Sequence, residues 1–172
     1  MNGRMQTMNN QGEAPLNVVD AVAGIAPGSA LHAIRRARPE FVDGVEACRA
    51  TVLWPKNDQG LPSALRIALA QRIARLSGNP AQAAFYHTLA QGDAYQAIAN
   101  GGSPSAEDTW LAAIVRHSDH VTLQPRHSTE QHIHALAEAG LSAPQIVALT
   151  ELIAFVNFES RVMAGLQLLG AL

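Results

Sequence analysis

The stretch APQIVALTELIAFVNFESRVMAGLQLL at residues 143–169 contains the pattern that decides the fold. Its Ile, Leu, Val, Phe and Met residues occupy nearly every side of a helix drawn at 3.6 residues per turn. A helix that is apolar all round is buried, either at the centre of a domain or at a subunit interface. The most apolar part is interrupted at Asn157, well short of the roughly 18 apolar residues that a membrane span needs. We therefore predict a long buried helix in an all-α domain, and no membrane span.

A narrow polar stripe follows one side of this helix. Thr150, Asn157 and Arg161 lie along it, with Ala154 between them. Polar groups that are buried there must find partners. One interpretation is that Arg161 pairs with a carboxylate or with a helix C-terminus and fixes the packing. The other is that Arg161 and Asn157 are substrate-binding residues in the wall of an anion pocket.

Proline and glycine divide the rest of the chain into further helical segments, none with the alternation typical of a strand. The sequences Ser128–Gln131 and Ser142–Gln145 have the pattern of capping boxes, and Gly140 is suited to end a helix between them. Residues 62–77 have the spacing of an ordinary amphipathic helix. The predicted helices span 16–23, 29–36, 39–53, 62–77, 80–100 (continuous or broken at Gly92), 105–118, 128–139 and 143–169.

The composition limits the class of protein. The 172 residues are 48% hydrophobic but only 5% aromatic, which favours helices, and the length is that of one domain. We predict a polar N-terminal arm at 1–14, lying on a partner subunit if it is ordered, and a single helical domain at 15–172. The net charge of −2 offers no basic surface for nucleic acid.

The chain has one cysteine, Cys48, so it cannot form an internal disulfide. No secretory signal is recognisable at the N-terminus, and we predict a cytoplasmic location. Cys48 stands on an apolar helix face, which predicts a buried, inert thiol. The alternative is a lone peroxidatic thiol beside Arg49.

Two stretches, RIALAQRIARLSGNPAQAAFYHTLAQ at 66–91 and LAEAGLSAPQIVALTELIAFVNFESRVMAGLQLL at 136–169, resemble the AhpD-like (carboxymuconolactone decarboxylase) superfamily. The second stretch and VAGIAPGSALHAIRRARPE at 22–40 look like a branch known as CMD domain proteins. This resemblance covers most of the chain beyond residue 16. It implies an AhpD-like helical bundle that forms a homo-oligomer, with a dimer as the first expectation and a hexamer as the alternative.

The peroxidases of that superfamily carry Glu, eleven residues, Cys-x-x-Cys, three residues and His. With His87 as the final histidine, the two cysteine positions fall on Pro80 and Ala83 and the glutamate position on Ala68. A dithiol cycle needs one thiol to attack the peroxide and a second to resolve the sulfenic acid. We therefore expect that the chain is not a dithiol peroxidase.

Of the residues in the peroxidase motif, the chain retains only the histidine, His87. His87 is our candidate for acid–base catalysis. The alternative is a structural histidine satisfied by hydrogen bonds. Tyr86 is a further substrate-binding candidate, although neighbouring helical residues point about 100° apart.

The segment 117–134 is rich in histidine, which raises the question of a metal. Its spacing is poor for ligation, because His132 and His134 face opposite sides of a helix. We predict no metal site. No nucleotide-binding or serine-hydrolase motif is present either, so we expect no cofactor. The histidines of the segment 117–134 are His117, His120, His127, His132 and His134.

Two functions remain open at this point. The first is a thiol-independent oxidoreductase or decarboxylase-type enzyme that acts on a small carboxylate or peroxide, with His87 as acid/base and Arg161 as anion anchor. The second is a non-catalytic accessory or oligomerisation partner of a cysteine-bearing AhpD-like peroxidase, in which His87 and Arg161 are structural.

Overall fold

The computed structural model describes residues 17–90 and 92–171, and every regular element in these ranges is helical. The all-α prediction is confirmed for this part of the chain, and the predicted arm at 1–14 lies outside it. A 3₁₀ turn at Pro125–His127 follows the seventh helix. The α-helices are α1 (Val18–Ala23), α2 (Ala30–Arg36), α3 (Pro39–Leu53), α4 (Ser63–Leu76), α5 (Pro80–Thr88), α6 (Gln96–Ala99), α7 (Thr109–Leu123), α8 (Glu130–Glu138) and α9 (Ala143–Gly170).

Helix α4 lies at the centre of the fold and packs against α5, α6, α7 and α9. Every residue from Leu65 to Ala74 is buried, including Arg66 and Arg72. The prediction of an ordinary amphipathic helix is therefore wrong here. Because these arginines are desolvated, they must be paired within the protein, and their partners determine which elements surround α4.

The two buried arginines of α4 fasten the neighbouring elements to it. Arg72 binds both carboxylate oxygens of Asp119 in α7, at 2.6 and 2.7 Å, and donates to the Ile98 carbonyl at 3.0 Å. Arg66 donates to three backbone carbonyls in and after the last turn of α3, at 2.7 to 3.0 Å. These carbonyls belong to Val52, Asp58 and Leu61. Burial lowers the pKa of Arg66, since only uncharged carbonyls bind it directly.

Helix α9 packs against α1, α3, α4, α7 and α8. Its inner side is buried between Leu149 and Met163, as its apolar sequence predicts. The described part of the chain leaves its outer side and C-terminal end uncovered, since Phe158 is 49% exposed and Leu168 is 73% exposed. Within the described residues, no helix is both long and apolar enough to cross a membrane.

Of the two alternatives for the segment 80–100, the broken one is confirmed, because α5 ends at Thr88, α6 begins only at Gln96, and Gly92 lies between them. One helix differs from prediction at both ends. Helix α7 begins at Thr109, where the Asp108 side chain caps it, and continues to Leu123 rather than ending at residue 118. Ser118, at the predicted end, lies inside this helix and its side chain donates to the Ile114 carbonyl at 2.8 Å.

Of the two capping boxes predicted for the last two helices, one forms as predicted and the other begins one residue later. Ser142 and Gln145 form the predicted box at the start of α9, and Gly140 ends α8 with a φ of 95°. The predicted box at Ser128 is wrong by one residue, because Thr129 caps α8 and His132 completes that box. Histidine replaces the usual Glu or Gln there, which explains why the sequence pattern missed it.

Candidate functional site

A cluster of buried polar side chains joins α3, α5 and α9, and Glu159 is at its centre. Glu159 is 0% exposed. Its Oε1 accepts from Arg49 Nε at 2.9 Å, and its Oε2 accepts from Gln82 Nε2 at 2.9 Å and from the Tyr86 hydroxyl at 2.6 Å. Ser160 donates in turn to Gln82 Oε1. We call these five residues the Glu159 cluster, and its groups hold the three helices in register.

The charges in the Glu159 cluster alter the titration of its members. Burial alone would lower the pKa of Arg49, but the charge and hydrogen bond of Glu159 outweigh it, so the pKa is raised. Burial, followed by the charge and hydrogen bond of Glu159, raises the pKa of Tyr86 well above 10. Both residues therefore keep their protons at neutral pH, and Tyr86 acts as a fixed donor.

The local sequence explains how α5 reaches this cluster. Gly78 turns the chain after α4 with a φ of 72°, and the Asn79 side chain caps α5 by accepting from the Gln82 amide at 3.0 Å. Pro80 then takes the first helical position, where a missing N–H costs nothing. Gln82 and Tyr86 follow four residues apart, so both face α9.

His87 lies on the other side of α5, at the edge of an open groove between α4 and α5. The groove has a volume of about 760 Å³. Pro80 and Ala83, the positions that resemblance aligns with the peroxidase cysteines, line it together with His87. Ala68, at the glutamate position, is buried and lines a smaller neighbouring cavity. No carboxylate is among the described residues that line the groove.

Two polar residues of α4 equip this groove to bind a ligand. Arg75 is exposed there, and its side chain has no hydrogen bond or ion pair to any other described residue. Gln71 is 4% exposed, and its Nε2 donates to Asn100 Oδ1 at 3.3 Å. Its Oε1 is buried and has no hydrogen-bond partner among the described residues. The groove thus offers an imidazole and a cation whose side chain has no partner among the described residues.

The other residues singled out from the sequence do not line the groove with His87. Tyr86 is fully buried in the Glu159 cluster. Asn157 is buried and donates to Thr122 Oγ1 at 3.2 Å. Arg161 is exposed and donates to the Asn157 carbonyl at 3.1 Å.

Cys48 is exposed on α3, so the prediction of a buried thiol is wrong. Its neighbour Arg49 takes the buried position instead.

Sequence reasoning missed Glu159, Arg49 and Gln82. The signal was present, because Glu159 is one of only two acids in the apolar helix 143–169 and directly follows its most apolar part. The polar stripe indicated Arg161 instead, which is two residues further along the helix and points about 160° away from Glu159. Arg75 and Gln71 carried no signal, since arginine and glutamine on a helix are ordinary surface residues.

Compared with protein-family models, curated proteins and solved structures, the chain gives no match. The likeness to the AhpD-like superfamily consequently stands on the sequence stretches quoted above.

Proposed function

We propose that the chain is a thiol-independent enzyme related to the AhpD-like and carboxymuconolactone decarboxylase proteins, and that it transfers a proton on a small carboxylate substrate. The observation that carries this proposal is the shared groove of His87 and Arg75. An unpaired guanidinium binds a carboxylate, and an imidazole is the side chain best suited to exchange protons near neutral pH. Both are reachable from solvent.

The proposed roles follow from the groove. Arg75 binds the substrate carboxylate, and His87 removes a proton from the adjacent carbon and returns it at the product position, so that the enzyme ends each cycle unchanged. Arg75 takes the anchoring role that the sequence suggested for Arg161, because Arg161 does not line this groove.

The missing thiols favour this chemistry over peroxide reduction. Pro80 and Ala83 line the groove and cannot form a sulfenic acid or a disulfide. Cys48 belongs to α3 and is not among the lining residues. A single thiol also cannot complete a disulfide cycle within one subunit.

A second candidate is the non-catalytic partner, and the uncovered side of α9 favours it. Phe158, Leu168 and Leu169 are 49%, 73% and 57% exposed, which suits a helix that binds another subunit. A homo-oligomer, with a dimer first and a hexamer as the alternative, and a cysteine-bearing AhpD-like partner are both proposals on this basis.

The experiment measures deuterium uptake from heavy water into a panel of small carboxylates and lactone carboxylates, followed by NMR. We expect exchange that falls by about 10² to 10⁴-fold in His87→Ala and persists in His134→Ala, an exposed histidine outside the groove. Arg75→Gln should raise KM with a smaller effect on kcat, and Arg161→Gln should change neither. Cys48→Ser should keep full activity.

The outcomes separate the two candidates. Equal exchange in the wild type, His87→Ala and His134→Ala would refute the enzyme proposal. If Phe158→Ser then also converts an oligomer to monomer in light scattering, the non-catalytic role is favoured. Loss of exchange in Arg161→Gln alone would restore the sequence-based assignment of the anion anchor.

A further inference from the structure

Three histidines from two helices meet at a further cavity, between α7 and α8. His117 and His120 belong to α7, and His132 belongs to α8. The rings of His120 and His132 stack with centroids 4.1 Å apart and planes 13° from parallel. The described residues contain no group of three or more His, Cys, Asp or Glu placed to hold a metal ion. The cluster therefore requires another explanation.

The buried nitrogens of this cluster lack partners. His117 is 7% exposed, and its Nδ1 has no hydrogen-bond partner among the described residues. The same is true of the buried Nε2 of His120. His132 differs, because its Nδ1 accepts from the Thr129 amide at 3.0 Å. Buried polar atoms without partners are rare, and each of these two nitrogens can carry a proton and donate it.

The cavity also has a cation at its rim and an apolar part. Its volume is about 180 Å³, the space of about six water molecules in the liquid. Arg116, which is exposed, lines it together with the three histidines. Ala113, Ala135 and Leu136 complete the lining, and no carboxylate is among these described lining residues.

We propose that this cavity binds a short aliphatic carboxylate. Its carboxylate binds the Arg116 guanidinium at the rim of the cavity, which the His117 and His120 imidazoles also line, and its alkyl chain lies against Ala135 and Leu136. The apolar lining favours a carboxylate over inorganic phosphate, which has no apolar part. This site lies between α7 and α8 and is lined by different residues from the groove of His87, so it does not depend on the proposed catalytic role.

The test is a titration of the full chain with acetate, propionate, butyrate and inorganic phosphate, followed through the imidazole NMR signals of His117 and His120. We expect saturable shifts with the carboxylates, and an affinity that rises about fourfold for each added CH₂ because each one is removed from water. Phosphate should bind more weakly than butyrate.

Three variants locate the binding. Arg116→Gln should weaken butyrate binding about tenfold, because a charge-assisted hydrogen bond is lost at a surface position. Arg126→Gln is the matched control, since Arg126 is exposed nearby and does not line the cavity. Arg75→Gln, in the other groove, should also leave the His117 and His120 shifts unchanged.

Because Arg116 is exposed, its substitution should not unfold the chain, so the proposal stays testable where a His117 variant fails to fold. Equal weakening by Arg116→Gln and Arg126→Gln would overturn it, as this would indicate general attraction to surface charge. Shifts without saturation, or affinities independent of chain length, would also overturn it and leave water as the occupant.

Discussion

The hydroxyl of Tyr86 donates to the carboxylate of Glu159 across 2.6 Å, and both side chains are 0% exposed. This bond joins α5 to α9 through the interior of the protein, and Arg49 extends it to α3. A buried carboxylate with a guanidinium and neutral donors around it is satisfied, but it has no access to a substrate. The Glu159 cluster therefore stabilises the packing that places His87 on the outer side of α5.

Removing the carboxylate of Glu159 should be strongly destabilising. Glu159→Ala leaves the Arg49 guanidinium buried without its partner, and the free energy of unfolding should fall by about 3–5 kcal/mol. Urea denaturation followed by circular dichroism measures this change. Glu40→Ala is the matched control, because Glu40 pairs with Arg38 where both side chains are more than 60% exposed. The control should lose less than about 0.5 kcal/mol of its free energy of unfolding. Equal losses in Glu159→Ala and Glu40→Ala would contradict the proposal that the Glu159 cluster stabilises the fold.

Tyr86 should make the protein sensitive to alkali. Its pKa is raised well above 10 in the folded protein by burial and by Glu159, so the unfolded chain gives up this proton first. Stability should consequently fall as the pH rises above about 10. Tyr86→Phe should cost about 1–2 kcal/mol at neutral pH, because a buried hydrogen bond is lost, and should remove this part of the alkaline loss. Thermal melts on both proteins across this range measure the difference.

The other tyrosine provides the comparison for that experiment. The chain has two tyrosines, and Tyr95 lies in the turn before α6, where it is half-buried. Tyr95→Phe should retain the alkaline dependence of the wild type. If Tyr86→Phe and Tyr95→Phe lose the same stability as the pH rises, the bond between Tyr86 and Glu159 is not the source of the alkaline sensitivity.

The sequence predicts the helices well because their punctuation is local. Asn79 and Pro80 start α5, and Ser142 with Gln145 starts α9, through contacts within four residues. The burial of α4 on all sides is different, since it depends on partners far along the chain. Arg72 finds Asp119 across 47 residues, and no periodicity within 62–77 contains that information.

The candidate site is less predictable for the same reason. His87 could be selected from the sequence by resemblance, but the groove that contains it also needs Arg75 and Gln71, and Asn100 from beyond α6. The burial of Cys48 was predicted wrongly because one helical position separates an exposed side from the side that α9 covers. Arg49, at the next position, reaches Glu159 across 110 residues.

Acid should destabilise the protein through His117. Burial, followed by the nearby His120 and His132, lowers the pKa of His117 in the folded protein from 6.5, whereas the unfolded chain keeps the ordinary value. As the pH falls below about 6.5, the unfolded chain takes up the proton first, so stability decreases toward the lower folded pKa. Above that range this contribution is constant.

Melting temperatures at about pH 7.5 and about pH 5.5 should therefore differ more in the wild type than in His117→Asn. His127→Asn, an exposed histidine of the 3₁₀ turn, should keep the wild-type difference. The prediction fails if His117→Asn and His127→Asn lose stability equally between the two pH values, because the acid effect would then come from histidines that are already in contact with solvent.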